Sequence, residues 1–99
     1  MRIGEVIGRV TLSVADPMLI GGKMLIVQPH DPASLRSAAS GGHQPSTSEP
    51  IVAYEQIGTG PGSLVGFSEG REAAMPFWPE RVAIDAYICC ILDNVTYDE

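Results

Sequence analysis

Apolar and polar positions alternate along most of this chain, and such alternation marks β-strands. Near the start, Gly4, Val6, Gly8, Val10, Leu12 and Val14 take the even positions. Glu5, Arg9, Thr11 and Ser13 share the odd ones with two isoleucines. The pattern predicts a half-buried strand over Arg2 to Val14, coiled or bulged where the glycines interrupt it. Asp16-Pro17 opens a turn and Gly21-Gly22 closes it. Lys23 to Gln28 then reads as a short, nearly continuous apolar strand, which Pro29 ends. Ile51 to Ile57 and Ser63 to Phe67 predict two more strands. In the last, Val82, Ile84, Ala86, Ile88, Cys90 and Leu92 form one face, opposite Asp85, Tyr87 and Asp93, with Ala83, Cys89 and Ile91.

Between the strands the signals change. Ala33 to Pro50 is rich in serine, contains Gly41-Gly42, and has Leu35 as its one large aliphatic group before Pro50. It reads as a long, flexible surface loop over 33–50. A short helix over Pro32 to Ala39 is the alternative, with Asp31 as cap and Pro32 in the first turn. Glu69 to Met75 is the stronger helix candidate: Ser68 offers an N-cap, acids fill the first turn, and Ala73-Ala74 favour helix. Pro76 and Pro79 bracket Phe77-Trp78 and end it. The expected architecture is all-β, a small five-stranded OB-like barrel with one short helix, forming a single domain over residues 1–99.

Composition narrows the function. The chain is 44% hydrophobic and 18% charged, as in a soluble globular domain. Twelve acids against six bases give a net charge of −6, which argues against nucleic acid or anionic lipid as a partner. The longest apolar run, Ala86 to Leu92, is far too short to cross a bilayer, and no apolar leader follows Met1. The cysteines, Cys89 and Cys90, are adjacent. In a strand they face opposite ways, so they read as reduced, small buried residues rather than a disulfide. That fits a cytoplasmic chain.

Gly58, Gly60 and Gly62 spell G-x-G-x-G, but the context is wrong for a phosphate loop. A strand follows instead of a helix, and no lysine closes the motif. Three alternating glycines exceed what a hairpin needs, and side-chain-free backbone suits several copies of a loop crowding round a symmetry axis. Thr59 is then the one hydroxyl side chain the loop offers to an opening. No catalytic set is evident. His30 and His43 lack helical or cysteine partners at metal-binding spacing and read as surface residues. Asp85 reads as a hydrogen-bond acceptor or a solvated group, and no base or oxyanion donor supports a serine nucleophile. No enzyme activity, cofactor or metal is expected.

The ordered segments Gly4-x-Val6-x-Gly8-x-Val10, Lys23 to Pro29 (KMLIVQP), Ile51 to Gly62 (IVAYEQIGTGPG), Ser68 to Ala74 (SEGREAA) and Ile84 to Asp93 (IDAYICCILD) resemble the EutN/CcmL family. This family comprises the vertex proteins of bacterial microcompartments and carboxysomes, and the resemblance covers most of the chain. It implies a homopentamer of OB-like barrels that caps the fivefold corners of a polyhedral shell, beside hexameric shell proteins. It also places Gly58, Thr59, Gly60, Pro61 and Gly62 at a central pore. Ser63 stands where the family often has an acid, the 33–50 loop is longer than expected, and Tyr87 and Cys89-Cys90 replace small residues.

A closed ring repeats one heterologous contact and so needs two different patches per subunit. Phe77 and Trp78, in their proline-bounded loop, are candidate interface anchors, or alternatively plug one end of the barrel. The competing functional class is an OB-type module binding oligonucleotide or oligosaccharide, which needs stacking aromatics and basic residues on one face.

Overall fold

The computed structural model describes residues 1–11, 19, 21–79 and 84–96. Five strands form a closed barrel: β1 (Arg2–Val10), β2 (Lys23–Pro29), β3 (Ile51–Glu55), β4 (Leu64–Glu69) and β5 (Ala86–Ile91). The order around the barrel is β1-β2-β3-β5-β4, with β4 returning to β1. All pairings are antiparallel except β3 with β5. Closure leaves no open sheet edge, as the all-β, OB-like expectation required.

The period-two pattern places side chains as predicted up to the bulge of β1; beyond it the parity reverses, so Arg9 rather than Val10 pairs with the buried Leu25. Val6 and Gly4 of β1 are buried, as are Leu25 and Val27 of β2 and Ala86 and Ile88 of β5. With Ala53, Val65 and Phe67 they form the core, and Ile51 packs against its margin. The glycine-containing strand is bulged as expected, the register slipping between Val6 and Gly8. Gly4 is needed for packing: a Cβ there would lie 2.6 Å from Val27 Cγ1 and 2.8 Å from the Gln28 carbonyl oxygen. The predicted extension of the first strand through Val14, and of the last back to Val82, falls partly outside the described residues.

Two expectations are corrected. The helix predicted over Glu69 to Met75 is reduced to one turn, α2 (Arg71–Ala74), followed by a 3-10 turn over Met75–Phe77. Ser68 and Glu69 belong instead to β4, paired with Tyr87 and Ala86 of β5, so strand pairing overrides their capping preference. The two-turn helix is α1 (Pro32–Ala39), the alternative to a loop at the start of the 33–50 segment. Asp31 caps it: Asp31 Oδ1 accepts the Ser34 N–H at 2.8 Å, and the Asp31 N–H donates to Ser34 Oγ at 3.0 Å. This is a reciprocal capping box, with Pro32 in the first turn.

The remainder of the 33–50 segment is tied down. Asp31 Oδ2 accepts both the Thr47 N–H at 2.8 Å and its hydroxyl at 2.9 Å. Ser46 Oγ donates to the Pro29 carbonyl at 2.6 Å, and Gln28 Nε2 to the Ser48 carbonyl at 2.6 Å. The Asp31 carboxyl is held far below the ordinary carboxylate range by the Thr47 and Ser34 amides and the Thr47 hydroxyl.

Outside the barrel, Tyr54 and Tyr87 are partners across the parallel β3–β5 pair, and their rings stack at 6.3 Å. Phe77 meets Tyr87 edge-on at 5.2 Å and Tyr54 at 6.1 Å. Tyr54 is fully buried beneath this cover, and its hydroxyl donates to the Leu19 carbonyl at 3.2 Å. The α2 excursion thus carries an aromatic side chain back onto the sheet.

Candidate functional site: the glycine loop at one end of the barrel

The loop Gly58–Gly62 joins β3 to β4. Gly58 and Gly62 have φ of +90° and +84°, in the left-handed region that favours glycine. Gly62 N–H donates to the Val6 carbonyl at 2.8 Å, and the Val6 N–H donates to the Ser63 carbonyl at 2.9 Å, which fastens the loop to β1. Ser63 closes the turn from within. Its N–H donates to the Gly60 carbonyl at 3.1 Å and its Oγ accepts the Gly60 N–H at 3.3 Å.

The residue that organises the loop is Glu55, which the sequence reading passed over. It is 1% exposed at the end of β3, and its Oε1 accepts the N–H of Gly58 and, at 3.0 Å, that of Thr59. Burial raises its pKa, but the amides of Thr59, Gly58 and Ile57 outweigh that and hold the carboxyl below its ordinary value. A signal was present: Ile51, Ala53 and Glu55 share the inward parity of β3, and an inward acid before a glycine-rich turn has unpaired amides within reach.

The five loop residues named from the sequence lie together, but not equivalently. Gly58, Pro61 and Gly62 are exposed and Gly60 half-buried. Thr59 is only 2% exposed, so within the protomer its side chain faces inward rather than out to an opening. Its Oγ1, beside the Glu55 carboxylate, makes no well-formed hydrogen bond among the described residues. Gly60 has neither a positive φ nor any atom within 4 Å of where a Cβ would stand.

Phe77 and Trp78 are separated. Phe77 belongs to the aromatic cluster with Tyr54 and Tyr87, whereas Trp78 is 74% exposed. Ile7, Val52, Ile57, Met75 and Ile91 are also exposed apolar side chains.

The remaining chemistry-bearing groups form no reactive set. His30 Nδ1 lies 2.8 Å from Ser34 Oγ, but Ser34 is buried within the capping box of α1 and is occupied there. His43 is exposed and borders a cavity of about 220 Å³ that His30, Glu5 and Gln28 also line. Among the described residues no group of three or more His, Cys, Asp or Glu is placed to hold a metal. Asp85 is exposed, and its carbonyl accepts the Gly70 N–H at 2.7 Å.

The cysteines are corrected. Both are free thiols, but Cys89 is exposed and Cys90 half-buried. Gly66 pairs with Cys90 and Phe67 with Ile88, so Cys89 is the extra residue of a bulge, and Cys90 shares the face of Gly66 rather than that of Ile88: its Sγ lies 2.8 Å from where a Cβ on Gly66 would stand. No helix among the described residues is long and apolar enough to cross a membrane.

The fold is shared with known proteins. The bacterial microcompartment shell vertex protein PduN of Salmonella typhimurium is 33% identical over 98 residues, covering 97% of this chain and 99% of PduN. The structure of Gloeobacter violaceus CcmL, a carboxysome shell vertex protein, matches at a TM-score of 0.76 and 33% identity, over 99% of this chain and 91% of that one. The GrpN pentameric microcompartment shell protein from Rhodospirillum rubrum matches at a TM-score of 0.76 and 28% identity, over 99% of this chain and all of GrpN. The family described as ethanolamine utilisation protein EutN/carboxysome matches residues 1–93. On this near-complete match, and with the barrel that its members share, the chain belongs to the EutN/CcmL family.

Proposed function

We infer that this chain is a structural shell protein whose pentamers cap the fivefold vertices of a polyhedral bacterial microcompartment. The observation that carries the reading is the end-to-end match to PduN, a shell vertex protein. The similarity to GrpN, a pentameric microcompartment shell protein, supports the stoichiometry. A sheet of hexagonal units closes only through fivefold defects, and a pentagonal unit supplies them. Its partners are then its own copies and the hexameric shell proteins around it, and its place is the microcompartment shell in the cytoplasm. Its role is architectural rather than enzymatic.

In the ring, Gly58, Thr59, Gly60, Pro61 and Gly62 surround the central pore. Gly60 supports this placement: the protomer makes no conformational or packing demand for glycine there, whereas five loops meeting at an axis do. Trp78 is the subunit-interface anchor, and Phe77 positions it by packing on Tyr54 and Tyr87. A ring of five chains at −6 carries about −30, which favours basic edges on neighbouring shell subunits. The OB-type binding alternative is left with Trp78 as its one exposed aromatic among the described residues, because Tyr54 and Phe67 are buried and Phe77 and Tyr87 pack on one another.

Native mass spectrometry is expected to give one species at five times the 10.5 kDa chain mass. A monomer at micromolar concentration overturns the reading. Trp78→Ala is expected to shift the assembly toward smaller species in light scattering, with the barrel still folded. An unchanged pentamer removes Trp78 from the interface.

A further inference from the structure

Bases are scarce in this chain, six against twelve acids. Arg2 is spent on Glu69, at 2.8 Å. Arg9 and Lys23 make no ion pair among the described residues, yet both line one cavity of about 310 Å³. The sheet register brings them together. Arg9 pairs with Leu25 across β1 and β2, and Lys23 lies two residues before Leu25 on the same strand face. The two cationic side chains therefore flank Leu25 at the end of the barrel where the glycine loop lies.

Thr59, Gly60 and Pro61 of that loop form the opposite wall, and among the described residues no carboxylate lines the cavity. Glu55 is the cross-strand partner of Lys23, but its Oε1 is engaged by the Gly58 and Thr59 amides. Two unpaired cations sharing a cavity repel one another, and an anion between them removes that cost. A guanidinium fork beside an ammonium suits a tetrahedral oxyanion, and Thr59 adds a polar residue to the wall.

We propose that the cavity between Arg9, Lys23 and the glycine loop binds a phosphate group, as inorganic phosphate or as the head of a small phosphomonoester. The site lies within one chain and goes beyond the pentamer reading without depending on it. Leu25 and Pro61 leave apolar wall for a short organic substituent.

The test is calorimetric titration of the intact protein with inorganic phosphate, and in parallel with methyl phosphate, at constant ionic strength set by sodium chloride. Saturable one-to-one binding per chain is expected. Arg9→Gln and Lys23→Gln should each weaken it by about tenfold or more, Lys23→Arg should retain it, and Arg71→Gln, on α2, should leave it unchanged. Binding of inorganic phosphate alone identifies the free ion as ligand; equal or tighter binding of methyl phosphate identifies a monoester. The proposal is overturned by absence of saturable binding, including through a neighbouring subunit filling the cavity. Equal weakening by Arg71→Gln also overturns it, since that reports only the general field of the protein. Native mass spectrometry of the same samples reads the oligomer separately, so either conclusion can fail alone.

Discussion

Glu55→Ala is expected to lower the unfolding free energy by about 2–3 kcal/mol, because it strips the Gly58 amide and the buried Thr59 amide of their acceptor. The exposed Gly58 can turn to water, but Thr59 is 2% exposed, so its amide is left without a partner. Glu55→Gln retains one carbonyl acceptor and loses the charge-assisted strength, so a smaller loss of about 1 kcal/mol is expected. Urea titrations of the three proteins measure both differences. Equal stability of Glu55→Ala and the parent chain removes Glu55 from its organising role.

The same residue sets an acid limit. Its folded pKa lies below the ordinary value of a glutamate, so the folded state holds its proton less tightly than the unfolded chain does. The stabilisation is complete above the unfolded pKa and fades as pH falls through the folded value. Asp31 titrates with the same sign but lower still, because its amide and hydroxyl donors hold it far below the ordinary range. Stability should therefore decline on acidification below about pH 4.5, and Glu55→Gln should flatten the upper part of that decline. A parallel slope in the variant assigns the decline to other carboxylates.

Gly4→Ala is the second large effect. The new methyl would stand 2.6 Å from Val27 Cγ1, 2.8 Å from the Gln28 carbonyl oxygen and 3.2 Å from Phe67 Cε1. Two of these are core side chains and the third is the backbone of the paired strand, so none yields without displacing its neighbours. A cost of about 3 kcal/mol or more is expected, enough to threaten a domain of this size. Gly8→Ala is the internal comparison: its nearest contact is 3.2 Å to Ile26 Cδ1, the free end of a half-buried side chain, and a cost under about 1 kcal/mol is expected. A similar loss at both positions would show that strand propensity, rather than the barrel interior, governs these glycines.

Strand parity was legible because one face of each strand is buried, which imposes a two-residue period on the sequence itself. Val6, Leu25, Val27, Ala86 and Ile88 all point where alternation put them. The helices were harder for a definite reason. Ser68 and Glu69 carry good capping chemistry, but β5 offers them a ladder, and pairing with Tyr87 and Ala86 prevails. The cap at Asp31 is completed by Thr47, sixteen residues away, so its strength was invisible in the local sequence.

The candidate site shows the same division. The glycine loop and its place between two strands could be located from Gly58, Gly60 and Gly62 alone. Glu55 and the Thr59 amide it holds are only four residues apart, so that contact is local; the burial of both is decided by packing at the end of the closed barrel. Phe77 and Trp78 are adjacent aromatics with similar sequence signals, yet one finds the Tyr54–Tyr87 surface and the other finds solvent.

Local chemistry was sufficient for strand number, the alternating core, the bulged glycine strand and the absence of a basic footprint, because each depends on neighbours along the chain. Closure decided the rest. Bringing β3 beside β5 and β4 back to β1 joined residues far apart in sequence, turned Cys90 off the Ile88 face at a bulge, and set Arg9 and Lys23 against the glycine loop. No local signal encodes those meetings, because their free energy comes from surfaces that exist only once the barrel has formed.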